Sequence, residues 1–208
     1  MLIETPNDNP APDQPTEVFV ALRPPWPVAE DFHARATQLC ASAGLMANQR
    51  PFFILHVTVL SIGGCLGRLP RKLLDEIDAA LSMVRFPAID VVLDEAGSFE
   101  TRKDKAPFVL KGEELTDVSA LRLAARDALR VKGLKIPARS SYAPHLTLAY
   151  ARRRAPMIKV EPFSWRACEF HLIESWVGRT KHVELARWTL LDETQPRETQ
   201  SVRSYAGG

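Results

Sequence analysis

Cysteine is scarce in this 208-residue chain, and long apolar runs are missing altogether. The three cysteines, Cys40, Cys65 and Cys168, are odd in number and widely spaced, with no Cys-x-x-Cys pair. This argues against a disulfide framework and against a cysteine-built zinc site, and it fits a reducing cytoplasm. No apolar stretch approaches the roughly 18 residues that a membrane span requires, and the N-terminus lacks the basic-then-apolar order of a secretion signal. A cytoplasmic protein without membrane association is therefore expected. Charge of one sign is lacking too: 27 basic and 25 acidic side chains leave a net +2, so any contact with nucleic acid must be local to a site. No heptad seam points to an obligate protein partner.

What is present suffices for a packed domain, since 46% of the residues are hydrophobic. Residues 1–16 are rich in Pro, Asn and Asp and hold little to bury, and residues 193–208 have the same polar character. Both are expected to be flexible tails around a single folded region, 17–192. Within it, residues 18–22 read as a strand and 27–43 as a helix closed by Gly44. A strand over 54–62 and a helix opening at Pro70 follow. Residues 88–93 and 108–110 read as a hairpin, 118–131 as a third helix, and 145–150, 163–173 and 183–191 as strands. The mixture predicts an α+β fold with largely antiparallel sheets.

Two segments carry the chemistry: His56-Val57-Thr58-Val59 and His145-Leu146-Thr147-Leu148. Each is a His-x-Thr-x pattern in an apolar frame. Alternation along a strand sends His and Thr to one face and the intervening Val or Leu to the other. With 5 His residues and Thr at about one residue in twenty, chance predicts roughly a quarter of one such match, so two is informative. A metal site is disfavoured, because Thr is a poor ligand and no carboxylate or Cys stands at a helpful spacing. Opening a cyclic phosphodiester needs one group to take a proton from water and another to give one to the departing oxygen. Two imidazoles can do both without a metal or any other cofactor, and two hydroxyls can hold the phosphate oxygens.

The pattern resembles the 2H phosphoesterases, a family that includes 2′-5′ RNA ligase-like and RNA 2′,3′-cyclic phosphodiesterase proteins. The resemblance rests on both His-x-Thr motifs, on Phe19-Val20-Ala21-Leu22-Arg23-Pro24-Pro25, and on Gly97-Ser98-Phe99. It extends to Gly178-Arg179-Thr180 and Leu185-Ala186-Arg187-Trp188. It implies a bilobal fold in which two antiparallel sheets, related by a pseudo-twofold, face a central cleft with helices outside. It also implies His56 as the acid, His145 as the base, and metal-independent hydrolysis of 2′,3′-cyclic phosphates to 2′-phosphates. The substrates implied are single-stranded RNA ends or small 2′,3′-cyclic nucleotides. Sealing RNA ends through a 2′-5′ linkage, or RNA-end binding without catalysis, are the alternatives.

One departure stands out. Many relatives continue the second motif to an Arg where this chain has Tyr150, so positive charge must come from elsewhere. Lys111, Arg179 and His182 are candidates, with Phe19 and Phe99 as candidate pocket rings. The run Arg152-Arg153-Arg154 reads as a solvated loop, His33 as an exposed helix residue, and His171 as an outward strand position.

Overall fold

The computed structural model describes residues 9–100, 104–113, 115–136 and 142–191. Among the described residues, nine strands and three α-helices follow the order β1 (Pro15–Leu22), α1 (Trp26–Ser42), β2 (Ala47–Gln49), β3 (Val57–Leu66), α2 (Arg71–Leu81), β4 (Ile89–Ser98), β5 (Ala106–Lys111), α3 (Thr116–Val131), β6 (Leu146–Ala151), β7 (Ile158–Ala167), β8 (Glu169–Trp176) and β9 (Lys181–Thr189). A short 3-10 helix, Phe52–Ile54, precedes β3. None of the described helices is long and apolar enough to cross a membrane.

All strand pairings between named elements are antiparallel, and they fall into two halves. One half runs β3-β1-β8-β9; the other runs β6-β5-β4-β7, with β2 added beside β6. The halves have the same logic. A strand, a helix and a His-x-Thr strand follow one another as β1-α1-β3 in one half and as β5-α3-β6 in the other. The two join through one Cα pair, Val57 with Leu146, so a single curled sheet serves as two lobes.

Periodicity explains the helices. Ala29, Phe32, Ala36 and Cys40 form the buried stripe of α1, and Val118, Leu121, Ala125 and Leu129 that of α3. Gly44 and Gly133 follow these helices with φ of 62° and 78°, left-handed values that glycine adopts without a Cβ clash. The helices cover one face of the sheet. Their stripes share a core with Val18, Val20, Leu22, Val57, Val59, Leu146 and Leu148, each apolar burial contributing roughly 1.5–3 kcal/mol. The opposite face of β1 buries only a small cluster, Phe19 and Ala21 with Ile173 of β8, and leaves room there for polar groups.

Two expectations are corrected. The folded region begins before residue 17: β1 opens at Pro15, where the Thr16 hydroxyl donates to Gly67 O at 2.8 Å and Gln14 Nε2 to Val177 O at 3.0 Å. Of the expected tails, residues 1–8 and 193–208 lie outside the described residues. The single strand expected over 163–173 is two, β7 and β8, which part at Cys168 and pair in different halves. The structure also adds β2, whose three residues are too few for an alternation to show in sequence.

Candidate active site

His56 and His145 each stand one residue ahead of a strand, β3 and β6, rather than inside it. In both, ring Nδ1 bonds the backbone carbonyl two residues upstream, Ile54 O for His56 and Ala143 O for His145, at 2.8 Å in each case. A carbonyl oxygen only accepts, so Nδ1 carries the hydrogen and the Nε2 lone pair is left for the cleft. The same local tether sets both rings without a carboxylate.

Strand register brings the two motifs together. Val57 and Leu146 are fully buried and point into the core, so their neighbours along each strand point to the other face. One step from this antiparallel pair, His56 comes opposite Thr147 and Thr58 opposite His145. Standard strand spacings then separate the two histidine Cα atoms diagonally by on the order of 8–10 Å. All four side chains are half-buried, and the positive form of His145 acts electrostatically on His56.

The rings around the two imidazoles differ. Phe19 stacks on His56 at 4.8 Å between centroids, and His182 meets His56 at 5.1 Å and Phe19 at 5.6 Å, both edge-on. Phe99 meets the His145 ring edge-on at 4.7 Å. Burial pushes the His56 pKa down to about 4; the Ile54 carbonyl opposes this, and Arg50, Arg23 and His145 add to it. Burial likewise takes His182 to about 3, helped by His56, Arg50 and Arg23. His145 is lowered by burial and partly restored by its bond to Ala143. All three imidazoles are therefore biased toward the neutral form.

Among the candidates from sequence, His182, Phe19 and Phe99 do adjoin the motif histidines. Lys111 lies at the end of β5, two residues beyond Val109, the partner of Thr147; its Nζ pairs with Glu95 at 3.7 Å. Tyr150 is 39% exposed on β6. Arg179 is corrected: it sits in the turn before β9 and its Nε donates to Gln14 Oε1 at 3.2 Å, engaged with the N-terminal segment rather than with the imidazoles.

Two arginines not named among the sequence candidates, Arg50 and Arg23, act on His56. Arg50 follows β2; its amide donates to Leu148 O at 2.7 Å, and its own carbonyl accepts from His33 Nδ1 at 3.0 Å. His33 is thus half-buried support for Arg50, not a free surface residue. Arg23, just past β1, donates to Phe53 O at 2.6 Å and pairs with Glu184 at 3.2 Å. Glu184 also takes His171 at 3.2 Å and Arg187 at 2.7 Å, so His171, expected to point outward, is 8% exposed inside a charged network. Burial of a carboxylate is offset here by three donors. Tyr142, three residues before His145, is a further addition: its hydroxyl donates to Thr58 O at 2.9 Å, tying the approach of the second motif to the strand of the first. Arg122 covers the Tyr142 ring at 4.3 Å. Phe19-Val20-Ala21-Leu22-Arg23 contains the signal for Arg23; Arg50 and Tyr142 lie in loops without periodicity.

Among the described residues no three His, Cys, Asp or Glu side chains converge as a metal site would require. The arrangement offers two oriented proton acceptors, two hydroxyls and nearby guanidinium charge on a shared, partly open face. Those are the elements for proton transfer at a bound anion.

Comparison with known proteins gives a consistent result. The family model described as the 2′-5′ RNA ligase superfamily matches residues 25–179. Escherichia coli LigT in its apo form superposes with a TM-score of 0.65 at 22% identity, over 85% of this chain and 98% of that one. TT0787 of Thermus thermophilus gives 0.66 at 21%, over 85% and 99%. At such identities the likeness establishes the fold. No curated protein matches the sequence.

Proposed function

Because the chain belongs to the 2′-5′ RNA ligase superfamily, we propose that it opens 2′,3′-cyclic phosphates, on single-stranded RNA ends or small cyclic nucleotides, to 2′-phosphates. The observation that carries this reading is the repeated arrangement of His56 and His145, each tethered at Nδ1 and each with a threonine from the other motif opposite it. That LigT, a protein of the same fold, has been solved with phosphate and with 3′-AMP agrees with an anion-binding cleft.

In this reaction His145 Nε2 removes a proton from water as its oxygen attacks phosphorus; the bond from phosphorus to O3′ breaks, and His56 Nε2 delivers a proton to that oxygen. The products are a 2′-phosphate and a free 3′-hydroxyl. Thr58 and Thr147 hydroxyls donate to the non-bridging oxygens, whose charge grows as water adds. His56 must start protonated, which its burial opposes most and the Arg50 and Arg23 charges oppose further. The substrate's negative charge offsets those cations, so the acid is loaded as the phosphate binds. Arg50 and Arg23 then supply the positive charge that Tyr150 does not.

Incubation with a 2′,3′-cyclic nucleotide and chromatographic identification of the product tests this. A 2′-phosphate is expected; a 3′-phosphate or unchanged substrate overturns it, and joined RNA ends without hydrolysis would indicate the reverse reaction instead.

A further inference from the structure

A second concavity, of about 530 Å³, opens beside β6 and is lined by Met46, Asn48, Lys105, Tyr150, Arg152 and Arg153 together with the backbone at Gly44. It is not used by the chemistry above. We propose that it binds the single-stranded RNA leading into the reacting end, taking phosphates on Lys105, Arg152 and Arg153 and a base on Tyr150. This rests on the function proposed above, and makes an oligonucleotide rather than a mononucleotide the preferred substrate.

Position is the first argument. β6 starts next to His145, carries Thr147, and continues through Tyr150 to Ala151, about 13 Å beyond Thr147 at the usual rise of a strand, with Arg152 and Arg153 following directly after it. An RNA strand whose end lies between the imidazoles can therefore follow this strand outward. Arg50 bridges the two regions: its guanidinium lies 6.0 Å from the Tyr150 ring centre, and its charge also acts on His56 and His182.

Charge is the second. Lys105, Arg152 and Arg153 are exposed and make no ion pair among the described residues, and no carboxylate lines the concavity. Other cavities differ in this respect. The one beside Lys111 includes Glu95 and Glu113, and the one at the end of α3 includes Asp127, which would repel phosphate. In a chain with a net charge of only +2, three cations at one place with no counter-charge among the described residues are a local anion receptor.

Surface chemistry is the third. Met46 is 97% exposed and Tyr150 39% exposed amid these cations, an apolar and an aromatic face interleaved with positive charge. Single-stranded nucleic acid is held by that combination, bases stacking while the backbone pairs with Lys and Arg. Asn48, the β2 partner of Tyr150, adds an amide that can bond a base edge.

The test compares the full chain with the double variant Arg152→Glu/Arg153→Glu on two substrates, a 2′,3′-cyclic mononucleotide and a short oligoribonucleotide ending in the same group. The variant is expected to keep mononucleotide turnover and to lose about tenfold or more in kcat/KM on the oligonucleotide. Its log-log salt dependence should become shallower by roughly 1.4, for two phosphate contacts on a single strand. Equal loss on both substrates, or no loss on the oligonucleotide, overturns the proposal. Should the wild type turn over neither substrate, the function proposed above fails, and binding of a labelled oligoribonucleotide bearing a 2′-phosphate decides the concavity separately. Binding that the variant weakens about tenfold supports it; absent or undiminished binding overturns it.

Discussion

Val57 and Leu146 form the single Cα pair by which β3 meets β6, and both are fully buried. Their contact places four polar side chains of opposite motifs on the far face. Two apolar residues, with no chemistry of their own, thereby determine where the proposed acid and base stand relative to each other.

Removal of either imidazole is the most direct test. His56→Ala and His145→Ala are each expected to lower kcat by about 10²–10⁴-fold on a cyclic nucleotide, with substrate binding largely kept. The double variant should fall little further than the worse single one, since both act in one step. Full activity in either single variant would remove that histidine from the mechanism.

The pH profile should be displaced toward acid. His56 and His145 both titrate below the ordinary histidine value, so kcat/KM is expected to follow a bell centred below pH 6.5. Arg50 disfavours the imidazolium of His56, and Arg50→Met should move a limb of the bell to higher pH while reducing its height. A profile unchanged by that substitution would separate Arg50 from the site.

Much of this arrangement is legible from residues alone. The two His-x-Thr motifs and the helical stripes of α1, α2 and α3 follow from periodicities of two and about 3.6, which the sequence displays directly. Arg50 and Tyr142 are not legible, because loop residues carry no period and their roles arise only when β2, β3 and β6 are adjacent. His171 looks like the outward member of an alternating strand; which face is solvent depends on the partner strand, and there Glu184 stands within reach. The run over 163–173 reads as continuous because Phe163, Trp165, Phe170 and Leu172 all favour strands, whereas the change of partners at Cys168 is a tertiary event.

Acid should destabilise the fold through the same histidines. The folded values for His56 and His182, about 4 and about 3, lie below the unfolded value of 6.5, so the unfolded chain binds more protons between them. Their contribution is complete above pH 6.5 and is lost as the pH falls toward 4, on the order of 3 kcal/mol for His56. Denaturant melts at pH 7 and pH 4.5 measure this, and His182→Phe should lessen the difference. An equal loss in wild type and variant would show that His182 does not take part.

Gly97 offers a check on the lobe that carries Phe99. A Cβ added there would lie 2.6 Å from Met157 Cα, a backbone atom that cannot swing away. Gly97→Ala is expected to lower stability by about 1–3 kcal/mol, read as a reduced denaturant midpoint. An unchanged midpoint would show that the segment before β7 yields freely.

The identical Nδ1 tethers have a consequence for how a substrate is oriented. Taken alone, the two rings are interchangeable, each a neutral acceptor held by its own chain, and a phosphate turned end for end would find the same groups. What breaks the tie is the company each keeps: Phe19, His182 and two guanidinium charges around one, Phe99 around the other. In the reaction proposed above, direction, which oxygen is approached and which departs, is thus written in the neighbours rather than in the paired histidines.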